Sequence, residues 1–211
     1  MEEGMSQFFQ IHPVNPQTRL IEQAVQILRK GGVIAYPTDS AYALGCQLED
    51  KGALERIRRI RRLDDEHNFT LVCRDLSQLG TYARVDNNVY RLIRNHTPGA
   101  YTFILKATGE VPRRLLHPKR KTIGLRVPDN RITLALLEKL GEPMMSVSLI
   151  LPGEQLPLTD PYDIRESLQH DLDLVIDGSY CGMEPTSVID LSEDVPVILR
   201  RGVGDVSAFE S

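Results

Sequence analysis

The residues best suited to chemistry in this chain are small hydroxyl side chains and arginines. "YPTDSAYALGC" places Thr38, Asp39 and Ser40 directly after an apolar run, and "HTPGAYTF" puts a Pro-Gly turn before Thr102. "GLRVP" carries Arg126 up to a proline, and "MMSVSL" spaces Ser146 and Ser148 by two. "PTSVIDL" brings Thr186 and Ser187, and "ILRRG" brings Arg200. Hydroxyls and backbone N–H groups hold phosphate oxygens, and an arginine fork clamps a phosphate or carboxylate through two parallel hydrogen bonds. The set suits the binding and neutralisation of an anion. Taken singly, each piece also has a plainer reading: Ser-x-Ser as strand packing, and Pro-Thr-Asp as a turn.

Other chemical signatures are absent from the sequence. It has no Walker A loop, GxGxxG, HExxH or GxSxG. His12, His67, His96, His117 and His170 are scattered, and none has zinc-ligand spacing to another His or Cys. Cys46, Cys73 and Cys181 form no CxxC, which reads as reduced thiols in a cytoplasmic protein. The apolar runs are far too short to span a membrane, and no secretory signal is evident. Met1–Gly4 precedes a second plausible start at Met5 and reads as a leftover of cloning.

Cations concentrate in two places. "RIRRIRRLDDEHNFTL" begins at Arg56 and has five arginines in its first seven residues. Arg113, Arg114, Lys119, Arg120 and Lys121 sit in a proline-bounded loop. From Lys51 to Pro128 there are 17 Lys/Arg against 7 Asp/Glu, whereas Leu151 to Leu199 holds 11 Asp/Glu against Arg165 alone. The net charge is −4, so the pattern suggests one anion-attracting face on an acidic protein. Arg56, Arg58, Arg59 and Arg62 are expected to point outward and, with the loop cluster, to meet RNA phosphates or merely to aid solubility. Aromatic residues are 6% and tryptophan is absent, so stacking of single-stranded bases is not indicated.

The elements that must position these residues alternate between helix and strand. Thr18 is expected to cap a helix to Lys30, with Leu20, Ile21, Ala24, Val25, Ile27 and Leu28 as its stripe and Gly31-Gly32 as its stop. Val33–Tyr36 reads as a buried strand ended by Pro37. Lys51–Arg62 reads as a helix with Ala53, Leu54, Ile57 and Ile60 inward. "FTLVC", "AYTFILKA", "TIGLRV", "PMMSVSLI", "LDLVID", "TSVIDL" and "PVILR" read as strands. Asp86 caps a helix to about His96, and Asn130–Leu140 is helical with Gly141 as its stop. Leu151–Pro161 reads as a loop. The pattern is α/β with a mixed sheet.

Together and in this order, "GGVIAYPTDSAYALGC … TPGAYTFIL … IGLRVPD … MMSVS … PTSVIDL … ILRRGVG" resembles the YrdC-like family over roughly Pro13 to Gly204, and within it the YciO branch. The family's characterised members are threonylcarbamoyl-AMP synthases. The resemblance implies a single-domain, twisted, open α/β sheet of mixed strand direction around a basic concave cavity. It implies ATP with magnesium, L-threonine and bicarbonate as substrates, and no tightly bound metal or organic cofactor. Other proteins then pass the threonylcarbamoyl group to an adenosine of certain tRNAs. It assigns Thr38 and Tyr42 to the threonine and adenylate region, Arg61 to phosphate and Thr102 to the cavity floor. Arg126 would face the anion, Ser146 and Ser148 the nucleotide, and Arg200 the rim, with Thr186 and Ser187 adding hydroxyls. It implies no nucleophile, because such a site works by positioning and charge neutralisation.

The chain departs from the family's pattern twice. The synthases' Lys-x-Arg followed by Pro falls on Arg61, Leu63 and Asp64, and their Ser-x-Asn has Ile150 in place of the Asn. Three readings stand. One is a nucleotide- or adenylate-binding paralogue with weak or altered synthase activity, the second a working synthase, and the third a module for tRNA or double-stranded RNA. If the two departures account for weak activity, Leu63→Arg with Ile150→Asn should raise it.

Overall fold

The computed structural model describes residues 4–64, 67 and 69–210, so most of Met1–Gly4 lies outside it. The strands are β1 (Gln7–Gln10), β2 (Ile34–Tyr36), β3 (Ala43–Gln47), β4 (Thr70–Val72) and β5 (Tyr101–Lys106). They continue as β6 (Thr122–Arg126), β7 (Met144–Ser148), β8 (Leu174–Asp177), β9 (Ser187–Asp190) and β10 (Val197–Arg200). The helices are α1 (Thr18–Arg29), α2 (Lys51–Arg61), α3 (Leu76–Tyr82), α4 (Asn87–Arg94), α5 (Arg131–Leu140) and α6 (Pro161–Leu168). All ten strands join one sheet in the order β1-β8-β2-β3-β7-β4-β6-β5-β9-β10. β8 runs parallel to β1 and β2, β4 to β6, and β5 to β9; the other neighbours are antiparallel. This is the open mixed sheet expected from the sequence.

Period-two alternation sorts the side chains of the middle strands between two faces. Leu71, Phe103, Leu105, Ile123, Leu125, Met145 and Ile189 turn to one face and join a core with α2, α3, α4 and α6. α2 contributes Ala53, Leu54, Ile57 and Ile60, as expected from their spacing. On the other face, α1 and α5 cover Ile34, Tyr36, Val72, Met144, Leu174 and Ile176. Ile21, Val25 and Leu28 of α1 are buried there, each worth about 1.5–3 kcal/mol. Past that cover, the same face carries hydroxyls and arginines, and a trench opens over it.

Several local expectations are corrected. Gln17, not Thr18, precedes α1, and it makes no side-chain cap; its amide oxygen accepts the His12 N–H instead. The arginines of α2 do not all point outward. Arg56 pairs with Asp173 at 2.8 Å, Arg58 lies over the Phe69 ring, and Arg61 turns into the trench. The cap expected at Asp86 is present, accepting the Asn88 and Val89 N–H groups, and Asn130, read as the first helical residue, is instead the cap of α5, accepting the Thr133 N–H. Gly141 stops α5 in the left-handed region at φ 81.

Candidate functional site

The trench has a volume of about 570 Å³. Its floor is built from β3, β7, β4, β6, β5, β9 and β10, which are consecutive in the sheet. Seven strands at about 4.8 Å spacing make it roughly 29 Å across. Hydroxyls line it because Thr70, Thr102, Thr122, Ser146 and Ser148 fall on this face of their strands. Thr70 stands opposite both Ser146 and Gly124 across its neighbouring strands. A Cβ at Gly124 would come within 2.9 Å of the Thr70 hydroxyl and 3.2 Å of the Thr102 methyl. Glycine there lets the floor close.

Three arginines bring charge. Arg126 ends β6, is 8% exposed, and is held by Asp39, whose second oxygen accepts the Asp129 N–H at 2.8 Å. Arg200 donates to the Thr186 carbonyl at 2.9 Å and hydroxyl at 3.2 Å, and that hydroxyl lies 2.8 Å from the Thr102 hydroxyl. Burial, and then the charge of Arg126, lower the Arg200 pKa. Arg61 comes off the end of α2 and donates to the Ile150 carbonyl; burial lowers its pKa. Among the described residues, the buried Nε atoms of Arg61 and Arg126 have no hydrogen-bond partner. Leaving a buried donor of a charged group unpaired costs free energy. His67 faces the same space, with its pKa lowered by burial and by Arg61. Ser146 is partly committed, lying 2.6 Å from the Tyr36 hydroxyl, whose pKa burial pushes up to about 12.

Of the residues singled out in the sequence, Arg61, Thr102, Arg126, Ser146, Ser148, Thr186 and Arg200 line this one trench. Thr38 and Tyr42 do not. The Thr38 hydroxyl accepts the Ser40 and Ala41 N–H groups and donates to the Ala41 carbonyl, which shapes the turn. The Tyr42 hydroxyl donates to the Ser179 carbonyl at 2.7 Å, in the core. Ser187 ties Gly202 and Gly204. Leu63 packs against the core and is not among the residues that line the trench. Ile150 does line the trench, and so does Asp64, a carboxylate.

The two cation clusters do not form one surface. Arg114 bonds the Leu48 carbonyl and Glu49, and Arg120 turns onto Asp190 at 2.6 Å and Ser192 at 2.7 Å, lining the trench. Arg59, Arg62, Arg113, Lys119 and Lys121 remain exposed. His67, Thr70, His117 and Thr122 line the trench without having been given a role in the sequence, and Ser40, noted there among the strand-end residues, lines it too. The alternation that exposed Ser146 and Ser148 also marks Thr70 and Thr122, but only the sheet order brings these strands side by side. Among the described residues, no group of three or more His, Cys, Asp or Glu is placed to hold a metal. No helix is long and apolar enough to cross a membrane.

The fold and site define an open-sheet α/β protein with a cationic, hydroxyl-floored trench on the uncovered part of one face. The chain belongs to the Sua5/YciO/YrdC family, described as telomere recombination, whose family model matches residues 26–202. It is 65% identical over 205 residues to YciO of Escherichia coli strain K12, covering 97% of this chain and 100% of that one. The crystal structure of E. coli YciO matches with a TM-score of 0.95 over 98% of this chain. More distantly, the threonylcarbamoyl-AMP synthase of Bacillus subtilis is 29% identical over 188 residues, 86% of this chain but 53% of the synthase. The crystal structure of Pyrococcus abyssi Sua5 complexed with L-threonine matches with a TM-score of 0.85 and 26% identity, over 92% of this chain and 57% of that one.

Proposed function

We propose that the trench binds an adenylate-class nucleotide and that the protein is a paralogue of L-threonylcarbamoyl-AMP synthase with weak or altered activity on ATP, L-threonine and bicarbonate. The observation that carries this reading is the convergence of Arg61, Arg126 and Arg200 on a hydroxyl floor. A phosphate or acyl-phosphate held there is neutralised and oriented without any nucleophilic side chain. Kinship with the synthases makes adenylate the ligand class of choice. Magnesium enters only with the phosphates of the nucleotide.

Ile150 limits the ligand. A triphosphate tail running toward Arg61 meets an apolar side chain that offers its oxygens no hydrogen bond. A single phosphate avoids that cost, so AMP or an acyl-adenylate fits better than ATP. A working synthase is the second reading, supported by the same kinship.

Two measurements test both readings: AMP and ATP binding by calorimetry, and pyrophosphate release from ATP, magnesium and bicarbonate with and without L-threonine. AMP binding tighter than ATP binding, with little threonine-dependent release, is expected, and Arg126→Ala should weaken AMP at least tenfold. Fast threonine-dependent release makes the protein a working synthase. Absence of any nucleotide binding refutes both.

A further inference from the structure

"His-Pro" occurs twice, at His12-Pro13 and His117-Pro118, and both histidines make the same turn. His12 Nδ1 accepts the N–H groups of Val14 and Asn15, and His117 Nδ1 accepts those of Lys119 (3.3 Å) and Arg120 (3.2 Å). The imidazole thus does what an Asn or Asp side chain does in an Asx turn. With Nδ1 an acceptor for two donors, the neutral ring must carry its proton on Nε2. His117 is held further by its own backbone, whose N–H bonds the Thr122 carbonyl and whose carbonyl accepts the Lys121 N–H. Its ring lines the trench, and Nε2 has no protein partner among the described residues.

The surroundings say what this donor is for. Ile104, Val188 and Leu199 give this half of the trench an apolar floor, with the Thr122 hydroxyl beside them. The nearest loop cation, Arg120, is already compensated by Asp190. A neutral donor over an apolar floor suits a flat, uncharged ring bearing an acceptor atom. It does not suit a phosphate, for which Arg61, Arg126 and Arg200 are better placed.

We propose that His117 is a specificity-determining residue: its Nε2–H reads an acceptor on the heterocyclic base of a purine nucleotide lying over Ile104, Val188 and Leu199. This rests on the nucleotide-binding reading above. Because Nδ1 is occupied and Nε2 is protonated, His117 acts as a donor and not as a general base.

His117→Asn separates the two jobs of the ring. An asparagine oxygen still caps the turn, but nothing replaces the Nε2–H. AMP carries the base, and ribose 5-phosphate carries only the sugar and phosphate. The expected result is unchanged melting, AMP weakened about five- to tenfold, and ribose 5-phosphate unchanged. In the wild-type protein, long-range proton–nitrogen NMR should find the Nε2–H tautomer, with its signal shifted by AMP and not by ribose 5-phosphate. Undiminished AMP affinity, an equal loss for both ligands, or an Nδ1–H tautomer overturns the proposal while leaving nucleotide binding intact. If the variant melts early, the wild-type NMR result decides. Wild-type protein that binds neither ligand refutes the nucleotide reading and this one with it.

Discussion

Arg61 lines the trench, while Leu63, two residues on, packs against the core. The left-handed Arg62 between them, at φ 50, turns the chain so that the two side chains part. The two departures from the synthase pattern are therefore not equivalent, and the paired reversal suggested by sequence alone needs revision. Ile150→Asn puts a hydrogen-bonding amide on the trench wall beside the carbonyl that Arg61 already holds. Leu63→Arg removes an apolar contact and places a charge at a half-buried site, at a cost of about 1–3 kcal/mol. Ile150→Asn alone is expected to raise threonine-dependent pyrophosphate release severalfold. Leu63→Arg should lower the melting temperature and add nothing to the rate. Single-mutant kinetics beside thermal melts check this, and a gain that comes only from Leu63→Arg would mean that the loop after α2 swings Leu63 into the trench when ligand binds.

At the scale of elements, the trench is only as well placed as the helix that delivers Arg61. Asp50 caps α2, its carboxylate accepting the Ala53 N–H at 2.8 Å. Asp50→Ala should cost about 1 kcal/mol, which is about 2–4 °C in a chain of this size, and weaken AMP slightly as the helix end loosens. A melt unchanged within 1 °C, about a quarter of that energy, would mean that tertiary packing alone holds α2. The long amphipathic elements were legible: α1, α2, α4 and α5 follow their apolar spacing, and eight of the ten strands were read at or near their bounds, β2 among them. β3 was not, because "ALGCQ" has no β-branched residue and no alternation, being buried along most of its length. β1, "QFFQ", has no period-two alternation, α3 is seven residues with a glycine inside, and the proline that suggested a loop is the N1 residue of α6, capped by Asp160. The motif residues of the site were legible by type. The Thr38 hydroxyl shapes a turn and Tyr42 is buried, and both look the same in sequence as ligand contacts.

For the whole molecule, charges segregated along the chain are mixed in space. The basic middle and the acidic C-terminal quarter meet at Arg56–Asp173, Lys106–Glu193 and Arg120–Asp190. Those three pairs neutralise part of the expected anion-attracting face, while Arg61, Arg126 and Arg200 converge in the trench. The exposed Arg59 and Arg62 lie on α2 and its cap, and Arg113, Lys119 and Lys121 on the loop before β6. A duplex RNA needs many phosphate contacts at once, and its affinity falls steeply as salt displaces them. A protein of net charge −4 with two small cation groups offers few such contacts. A phosphate inside the trench is shielded from salt, since buried pairs are screened less than exposed ones. AMP affinity is therefore expected to change less than about threefold between 50 and 300 mM salt, while any retention on a short RNA duplex vanishes by about 150 mM. Arg59→Glu with Arg62→Glu should leave AMP binding untouched. If the duplex instead survives 150 mM salt with a steep salt slope, and the double variant abolishes it, the outer face of α2 is a nucleic-acid surface and the trench is not the molecule's main anion site.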